Sequence, residues 1–211
     1  MINLEETVLC LDLDDTIYKE IDFFCSGVSY IFSKVLNIEL DCDSPFLRTD
    51  SDWFNFALKN SSISKEELLN EYRFHTPKLS LPSDSHYLIS DSKKKNIPLV
   101  LITDGRSCTQ RNKLMALNIL HEFDMLVISE EVGTEKPNQL NYVKVMEHYP
   151  NKKYTYIGDN TNKDFITPNH LGWSTICLID NGLNIHPQNF NLDFEYLPKE
   201  QINSLFEIII S

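Results

Sequence analysis

The sequence predicts an α/β fold, in which a parallel β-sheet is flanked by helices and carries an additional helical subdomain. Short apolar runs alternate along the chain with longer segments of helical periodicity, which is typical of strands connected by helices. Residues 18–83 interrupt this alternation with helical patterns alone. The length of 211 residues, 42% of them apolar, is sufficient for one core domain with a modest insertion.

Five segments are predicted as strands because each is short and almost continuously apolar, as strands covered on both faces must be. They are residues 7–13, 98–103, 125–129, 154–158 and 175–179. Longer segments with a helical pattern separate most of them, which favours a parallel sheet over an antiparallel one.

Helix signals lie between the predicted strands. Ser107 and Gln110 form a capping-box pattern, which predicts a helix that begins there and ends near Leu117. Pro137 suits the first turn of a later helix. The apolar residues of that later helix share one side: Leu140, Val143 and Met146.

The C-terminal stretch PKEQINSLFEIII, residues 198–210, also has apolar residues at helical spacing. They are Ile202, Leu205, Phe206 and Ile209. We therefore expect a C-terminal helix that packs back on the core.

Residues 18–83 contain several helical patterns and no strand pattern. The first is an amphipathic segment with apolar residues Ile21, Phe24, Val28, Ile31 and Val35. A capping box formed by Ser64 and Glu67 precedes another helical segment. We therefore predict a helical subdomain over residues 18–83 and an α/β core formed by residues 1–17 and 84–211.

The charge balance excludes several classes of partner. There are 31 acidic residues and 19 lysines plus arginines, which gives a net charge of −12 and repels nucleic acids and anionic lipid surfaces. The one basic run, residues 93–95, suits a solvated helix end. No apolar stretch approaches the roughly 18 residues of a membrane span, and the start MINLEE has no basic region. We expect a cytoplasmic protein that binds neither nucleic acid nor membrane; no oligomeric state is predicted.

The five cysteines are odd in number, scattered, and contain no C-x-x-C pair. They are Cys10, Cys25, Cys42, Cys108 and Cys177. Neither a disulfide framework nor a zinc site is indicated.

The stretch LDLDD, residues 11–15, places several carboxylates at the end of the first predicted strand. If Asp12 and Asp14 follow the strand's period of two, their side chains lie on the same side, roughly 7 Å apart at a rise of about 3.3 Å per residue. That separation prevents them from sharing a proton and suits two separate tasks on one substrate. Ligands of open parallel sheets bind at the carboxyl ends of strands, where this cluster falls. Taken alone, these residues also suit an ordinary strand end and turn.

The second predicted strand ends in Thr103, Asp104 and Gly105, immediately before a helix. A hydroxyl and free backbone N–H groups at such a junction can bind phosphate, aided by the helix dipole. The same three residues are also common in ordinary turns. Lys136 precedes another helix and could neutralise a phosphate oxygen, although a lone loop lysine is commonly just solvated.

The fourth predicted strand ends in Gly158 and Asp159, and Asp164 follows five residues later. A negatively charged substrate would need a cation beside this many carboxylates. Oxygen ligands from Asp12, Asp159 and a backbone carbonyl suit Mg²⁺, a hard ion that keeps several waters.

The order of these motifs is more specific than any one of them. Asp-x-Asp-x-Thr, a strand-terminal Thr, Lys-Pro and Gly-Asp-x-x-x-x-Asp resemble the haloacid dehalogenase-like hydrolase superfamily over residues 7 to about 180. The resemblance implies a Rossmann-like α/β core. It also implies that Asp12 is a nucleophile that forms an aspartyl-phosphate and that Asp14 is the general acid and then the base. Thr103 and Lys136 would bind the transferring phosphoryl group.

The resemblance also implies a metal site. Mg²⁺ would be held by Asp12, the Asp14 carbonyl and Asp159, with Asp164 in a supporting position. The divalent ion and Lys136 would supply the positive charge that makes the buried carboxylates tolerable.

The interval between Asp14 and Thr103 is much longer than that between Thr103 and Lys136, so an insertion fits only the first. This resembles the helical cap of many phosphatases of small phosphometabolites, which would close over the site and exclude water. Possible substrate contacts within it are Arg48, Arg73 and His75, although each also suits a surface residue. Trp53, Phe54 and Phe56 are expected in the core of this cap.

The leading hypothesis is a Mg²⁺-dependent phosphomonoesterase that acts on a small phosphorylated metabolite, a sugar phosphate or a nucleotide. A dehalogenase is disfavoured because it has no use for an acid at Asp14. A phosphomutase using the same aspartyl-phosphate and a non-catalytic binding module that keeps the fold remain as alternatives.

Overall fold

The computed structural model describes residues 2–4 and 7–210, and a six-stranded parallel sheet forms its centre. The strands are β1 (Ile2–Leu4), β2 (Thr7–Leu11), β3 (Leu99–Thr103), β4 (Met125–Ile128), β5 (Lys153–Gly158), β6 (Ser174–Leu178), β7 (Glu200–Ile202) and β8 (Ile208–Ile210). The central sheet has the order β4-β3-β2-β5-β6-β7, and every neighbouring pair in it is parallel. The predicted α/β class and all five predicted strands are therefore confirmed.

Eight α-helices accompany the strands in the described residues. They are α1 (Glu20–Ile31), α2 (Trp53–Lys59), α3 (Lys65–Phe74), α4 (Ser83–Lys94), α5 (Ser107–Ala116), α6 (Ser129–Val132), α7 (Leu140–His148) and α8 (Ile166–His170). Across residues 2–4 and 7–210, no helix is both long and apolar enough to cross a bilayer.

Alternate residues of the central strands pack on opposite faces of the sheet. Leu9 and Leu11 of β2 belong to the hydrophobic cluster on one face, whereas Val8 and Cys10 belong to the cluster on the other. All four are at most 1% exposed. Burying an aliphatic side chain of this size contributes about 1.5–3 kcal/mol, which makes β2 a rigid support for the residues that follow it.

The predicted C-terminal helix is wrong. Glu200–Ile202 extend the central sheet beside β6, and Ile208–Ile210 pair in parallel with β1 as a separate two-stranded sheet. Ile202 and Leu205 are buried as expected, but Phe206 is half exposed. Three consecutive β-branched isoleucines favour an extended backbone, and the available strand partners outweigh the helical spacing.

The capping box predicted for α5 is also wrong. Arg106 is the N-cap residue and makes no side-chain capping bond. The Ser107 hydroxyl instead donates to Glu131. The Gln110 side chain is buried and donates to Asp14 and Thr103. A capping pattern concerns only one turn of chain, whereas these side chains found partners that are distant in sequence.

Helix α7 begins at Leu140, after Pro137. Its buried residues are Asn141, Tyr142 and Val145, and Leu140 is 43% exposed. The helix face that carries Leu140, Val143 and Met146 was predicted to pack inward, but the buried face is rotated from it. The reason is that the aromatic Tyr142 packs against Tyr156 and Trp173.

Residues 18–83, all of which are described, contain α1, α2, α3, a π-helical turn (Phe32–Leu36), a 3₁₀ turn (Pro45–Leu47) and no strand. Many of their apolar side chains form a separate cluster around Phe32, whereas Tyr18 and Phe23 belong to the hydrophobic core beside the sheet. The capping box of α3 is confirmed, since Ser64 Oγ accepts from Glu67 N and the Glu67 carboxylate accepts from Ser64 N. We refer to residues 18–83 as the helical region.

Candidate active site

Parallel pairing brings the polar ends of three strands to one edge of the sheet. Asp12 follows β2, Thr103 ends β3 and Asp159 follows β5. They line a cavity of about 110 Å³. The predicted residues in its wall are Asp12, Asp14, Thr103, Asp104, Lys136 and Asp159.

Two predicted residues lie outside this wall. Asp164 is completely buried beneath the cavity, where its Oδ2 accepts the N–H groups of Asp159 and Asn160 at 3.2 and 2.9 Å. A Cβ at residue 158 would lie 2.5 Å from that carboxylate, so only glycine fits there. Gly105 lines a separate surface cavity beside Ser129. Asp164 thus shapes the loop after β5 from below.

A buried ion-pair network lies at the base of the cavity. Lys136 Nζ lies 2.8 Å from Asp12 Oδ1 and 2.8 Å from Asp164 Oδ1, and it donates to the Tyr156 hydroxyl at 3.0 Å. Burial lowers the pKa of Lys136, but Asp12 and Asp164 raise it well above its ordinary value. Lys136 is therefore a permanent cation in contact with two carboxylates.

The same site contains more negative than positive charge. One oxygen each of Asp12, Asp159 and Asp164 lies within 4.8 Å of the others. Burial, opposed by Lys136, raises the pKa of Asp12 to about 7. Burial and then the neighbouring Asp164 and Asp12 raise the pKa of Asp159 to about 9. An all-oxygen donor set with uncompensated charge suits a hard divalent cation such as Mg²⁺.

The Asp14 carboxylate is held by three donors. Its Oδ1 accepts from Lys113 Nζ at 2.7 Å and from the Tyr18 hydroxyl at 2.5 Å, and its Oδ2 accepts from Gln110 Nε2 at 2.9 Å. Burial raises the pKa of Asp14, but Lys113, Tyr18 and Gln110 together hold it below its ordinary value. Asp14 is therefore ionised when no substrate is bound.

None of those three donors was predicted from the sequence. Gln110 was interpreted as part of a cap and Lys113 was not singled out, although both are buried on α5. Their spacing of three residues, which places them on one helix face after the Thr-Asp-Gly motif, is the signal that could have identified them.

The Thr103 hydroxyl accepts from Gln110 Nε2 at 2.7 Å, so its own hydrogen is not used in that bond. The Gly105 N–H, expected to be free, donates to Ser129 Oγ at 2.8 Å. Asp104 accepts the Lys136 N–H at 2.9 Å and Lys163 Nζ at 2.7 Å. The Asp104 carboxylate therefore fixes the Lys136 loop to the end of β3.

The segment after β6 folds over the same edge. Asn184 Nδ2 donates to Asp159 Oδ2 at 2.9 Å, and Gln188 Nε2 donates to the Asp159 carbonyl at 2.9 Å. Asp15 accepts the N–H groups of Glu20 and Ile185 at 2.9 and 3.0 Å. These contacts order the Asp159 loop, and no motif in the sequence indicated them.

The candidate substrate contacts of the helical region do not line the cavity. Arg48, Arg73 and His75 are all absent from its wall. His75 is not a surface residue either, because it is 2% exposed, with Nδ1 2.6 Å from Tyr72 O and Nε2 3.2 Å from Ser26 Oγ. In this structure His75 packs among aromatic rings of the helical region.

A phosphatase and a nucleotidase are among the proteins to which the chain is similar in sequence. It is 28% identical over 193 residues to the glyceraldehyde 3-phosphate phosphatase of Methanothermobacter thermautotrophicus, covering 79% of this chain and 83% of that protein. It is 26% identical to the pyrimidine 5'-nucleotidase PynA of Streptococcus pneumoniae, covering 64% and 67% of the two chains.

Among solved structures, YfnB from Bacillus subtilis bound to magnesium has a similar fold, with a TM-score of 0.68 and 20% identity over 97% of both chains. A family model described as haloacid dehalogenase-like hydrolase matches residues 9–178, which include every motif at the sheet edge. The chain therefore belongs to the haloacid dehalogenase-like hydrolase family.

Proposed function

We propose that this protein is a Mg²⁺-dependent phosphomonoesterase that hydrolyses a small phosphorylated metabolite through an aspartyl-phosphate on Asp12. One observation carries the proposal: a carboxylate, Asp12, lies 2.8 Å from the Lys136 ammonium in a cavity that also contains Asp14 and Thr103. The relatives described above are a phosphatase and a nucleotidase, both of which act on phosphoric monoesters.

In the first step, an oxygen of Asp12 forms a bond to phosphorus while the ester P–O bond breaks. Asp14 gives a proton to the departing oxygen. Lys113 keeps Asp14 ionised in the absence of substrate. The charge of an entering phosphate raises the pKa of this carboxyl, so that it takes up from solvent the proton that it then gives to the leaving oxygen.

In the second step, Asp14 takes a proton from water, whose oxygen bonds to phosphorus as the bond to Asp12 breaks. Inorganic phosphate leaves and the Asp12 carboxylate is restored. The Lys136 ammonium and the Thr103 hydroxyl bind phosphoryl oxygens in both steps, with Asp104 and Gly105 forming the turn beside them.

Mg²⁺, held by Asp12, the Asp14 carbonyl and Asp159 with Asp164 in support, would supply positive charge for the phosphoryl oxygens. The carboxylate oxygens of Asp12, Asp159 and Asp164 fit that ion, because Mg²⁺ prefers oxygen ligands. The protein's own part is to hold the carboxylates at one point and to keep Lys136 charged beside them.

The cavity limits what part of a substrate it can enclose. Its volume of about 110 Å³ is small, which suits a phosphoryl group rather than a whole metabolite. Glu20 of α1 and His186 also line the cavity, and we propose that they lie beside the leaving group. We propose a sugar phosphate or a nucleotide as the substrate.

The helical region, residues 18–83, is proposed to act as a cap, with the core formed by residues 1–17 and 84–211. Glu20 begins α1 and lines the cavity, and Tyr18 contacts Asp14 directly. Closing this region over the opening would exclude water and place its residues against the leaving group.

The test is a phosphate-release screen over sugar phosphates, nucleotides and acid phosphates, with Mg²⁺ and with EDTA. We expect phosphate release from at least one substrate with Mg²⁺ and none with EDTA. Binding of Mg²⁺ and inorganic phosphate without release from any substrate would support a binding module instead. Formation of an isomer in place of phosphate, with a bisphosphate donor, would identify a phosphomutase.

A further inference from the structure

Gln110 joins two groups of the proposed reaction, Asp14 and Thr103, although the reaction as proposed above gives it no role. It lies on α5 and is 1% exposed. Its Nε2 donates to Asp14 Oδ2 at 2.9 Å and to Thr103 Oγ1 at 2.7 Å. Both hydrogens of one amide nitrogen are thus used, one on each group.

The orientation of this amide is determined by its surroundings. A flipped amide would place a carbonyl oxygen against the Asp14 carboxylate, which offers no donor when ionised. Packing holds the side chain as well, because a Cβ at Gly105 would lie only 3.2 Å from Gln110 Cδ. Gly105 also has a φ of 132°, which side chains rarely adopt. The glycine therefore leaves the space that Gln110 occupies.

The two oxygens of the Asp14 carboxylate accept different numbers of hydrogen bonds. Oδ1 receives Lys113 and the Tyr18 hydroxyl, whereas among the residues that the structure describes Oδ2 receives only Gln110. Oδ2 therefore keeps capacity for another bond, and the bond from Gln110 determines the direction in which it can be made. Lys113 supplies charge to this carboxylate, and the neutral Gln110 supplies orientation.

The bond to Thr103 has a related consequence. Because Thr103 Oγ1 accepts from Gln110, the Thr103 hydroxyl hydrogen is left for another acceptor, and Thr103 lines the cavity. A hydroxyl oriented in this way is prepared to donate to a phosphoryl oxygen without reorganising.

We infer that Gln110 is a positioning residue that aligns the proton-transferring oxygen of Asp14 with the phosphate-binding hydroxyl of Thr103. This inference rests on the proposed phosphatase function. It assigns to Gln110 an effect on both proton transfer to the leaving group and binding of the phosphoryl group.

The main test is Gln110→Met, which keeps an unbranched side chain of similar length and removes both donated bonds. Steady-state kinetics would be measured with Mg²⁺ on phenyl phosphate and on p-nitrophenyl phosphate. We expect kcat on phenyl phosphate to fall by about tenfold or more, without exceeding the 10²–10⁴ contribution of general acid catalysis. The fall should be smaller on p-nitrophenyl phosphate, whose leaving group needs less protonation.

Two further readouts separate positioning from general support of the fold. Calorimetric titration with inorganic phosphate in the presence of Mg²⁺ should show weaker binding to Gln110→Met, because Thr103 loses its orientation. In Asp14→Asn, adding Gln110→Met should cost less on phenyl phosphate than it does in the wild type, since residues that act together are not additive.

Asn141→Leu is the matched control, because Asn141 is another buried carboxamide, 1% exposed, on helix α7, and its amide donates to the Asn138 carbonyl. It should lower thermal stability without producing the leaving-group difference. Gln110→Glu is a second variant of nearly unchanged shape that no longer donates from an amide, and it should reproduce the kinetic pattern.

Equal losses on the two esters, full additivity with Asp14→Asn and unchanged phosphate binding would overturn the inference while leaving the phosphatase proposal intact. Failure of both Gln110 variants to fold would make the role structural and would overturn it too. A wild-type protein that releases no phosphate from either ester or from the metabolite panel would overturn the proposed function, and the inference with it.

Discussion

The sheet edge and the helical region differ in how completely their side chains are buried and partnered. At the sheet edge the side chains of Lys136 and Asp164 are at most 1% exposed. They share a network of ion pairs and hydrogen bonds. In the helical region the cluster around Phe32 fully buries few residues, and most of its aromatic rings are only partly covered. Phe32, Phe46 and Phe56 contact each other with ring centroids 4.7–5.6 Å apart.

This difference indicates that the sheet edge is the rigid part of the molecule and the helical region the adaptable one. Buried, fully partnered groups open only with most of the fold, whereas a partly covered helical cluster can rearrange at lower free energy. A rigid edge suits chemistry that depends on distances of a few tenths of an ångström. A looser helical region suits the recognition of different leaving groups. The predictions below test this contrast.

The largest effect is expected for Asp12→Asn. Turnover should be abolished because an amide is a poor nucleophile, while circular dichroism should show an intact fold. Asp22→Asn, which changes an exposed aspartate of α1 in the same way, should leave phosphate release unchanged. Comparable activity in Asp12→Asn would contradict the assignment of the sheet edge as the site of chemistry.

Asp14→Asn should slow the reaction by a factor of about 10² to 10⁴, the usual contribution of general acid catalysis. The factor should be smallest for esters with good leaving groups, because these need no proton. Rates for a series of aryl phosphates would measure it. A loss that is independent of the leaving group would show that Asp14 acts in some other way.

Lys136→Met should destabilise the protein by about 3–5 kcal/mol, because it leaves the buried Asp12 and Asp164 without their cation. Added Mg²⁺ should restore part of that stability. The comparison is Lys34→Met in the helical region, where the Lys34–Glu71 pair is largely exposed and is expected to contribute far less to stability. Urea unfolding of both variants measures the contrast, and equal losses would refute it.

The metal-free protein should lose stability as the pH rises. Asp12 and Asp159 have folded pKa values of about 7 and about 9, above the ordinary 3.8. Their contribution is therefore complete below about pH 4 and is lost as the pH rises through 7 and 9. Thermal melts in EDTA should show a lower Tm at pH 8.5 than at pH 5.

Mg²⁺ binds the ionised carboxylates, so it should raise Tm more at the higher pH. The stabilisation is about 2.7 kcal/mol at a concentration 100 times its Kd. Asp159→Asn should reduce this Mg²⁺ effect. A Tm in EDTA that does not change between the two pH values would contradict the proposed charge balance of the sheet edge.

The smallest effect is expected for Ser64→Ala, which removes the N-cap of α3 in the helical region. The free energy of unfolding should fall by about 1 kcal/mol, the usual contribution of such a cap. Hydrogen exchange should increase in α3, while the rate of p-nitrophenyl phosphate hydrolysis should not change. An equal increase in exchange at β2 and β5 would show that the two regions unfold as one unit.

The sequence alone determined the core strands and the positions of the site residues. A strand such as β2 is predicted by a continuous apolar run, and that run is local information. Once the sheet is parallel, the carboxyl ends of its strands share one edge, so Asp12, Thr103 and Asp159 had to come together. The capping box of α3 was predictable for the same reason, since all its atoms lie within one turn.

The tertiary structure decided the remaining features, because their partners are distant in the chain. Gln110 and Asp14 are 96 residues apart, so no local pattern could distinguish a capping residue from one that orients a carboxylate. The C-terminal isoleucines became a strand because β1, at the opposite end of the chain, offers backbone partners. Spacing within a segment shows which side chains share a face, and only packing determines what that face meets.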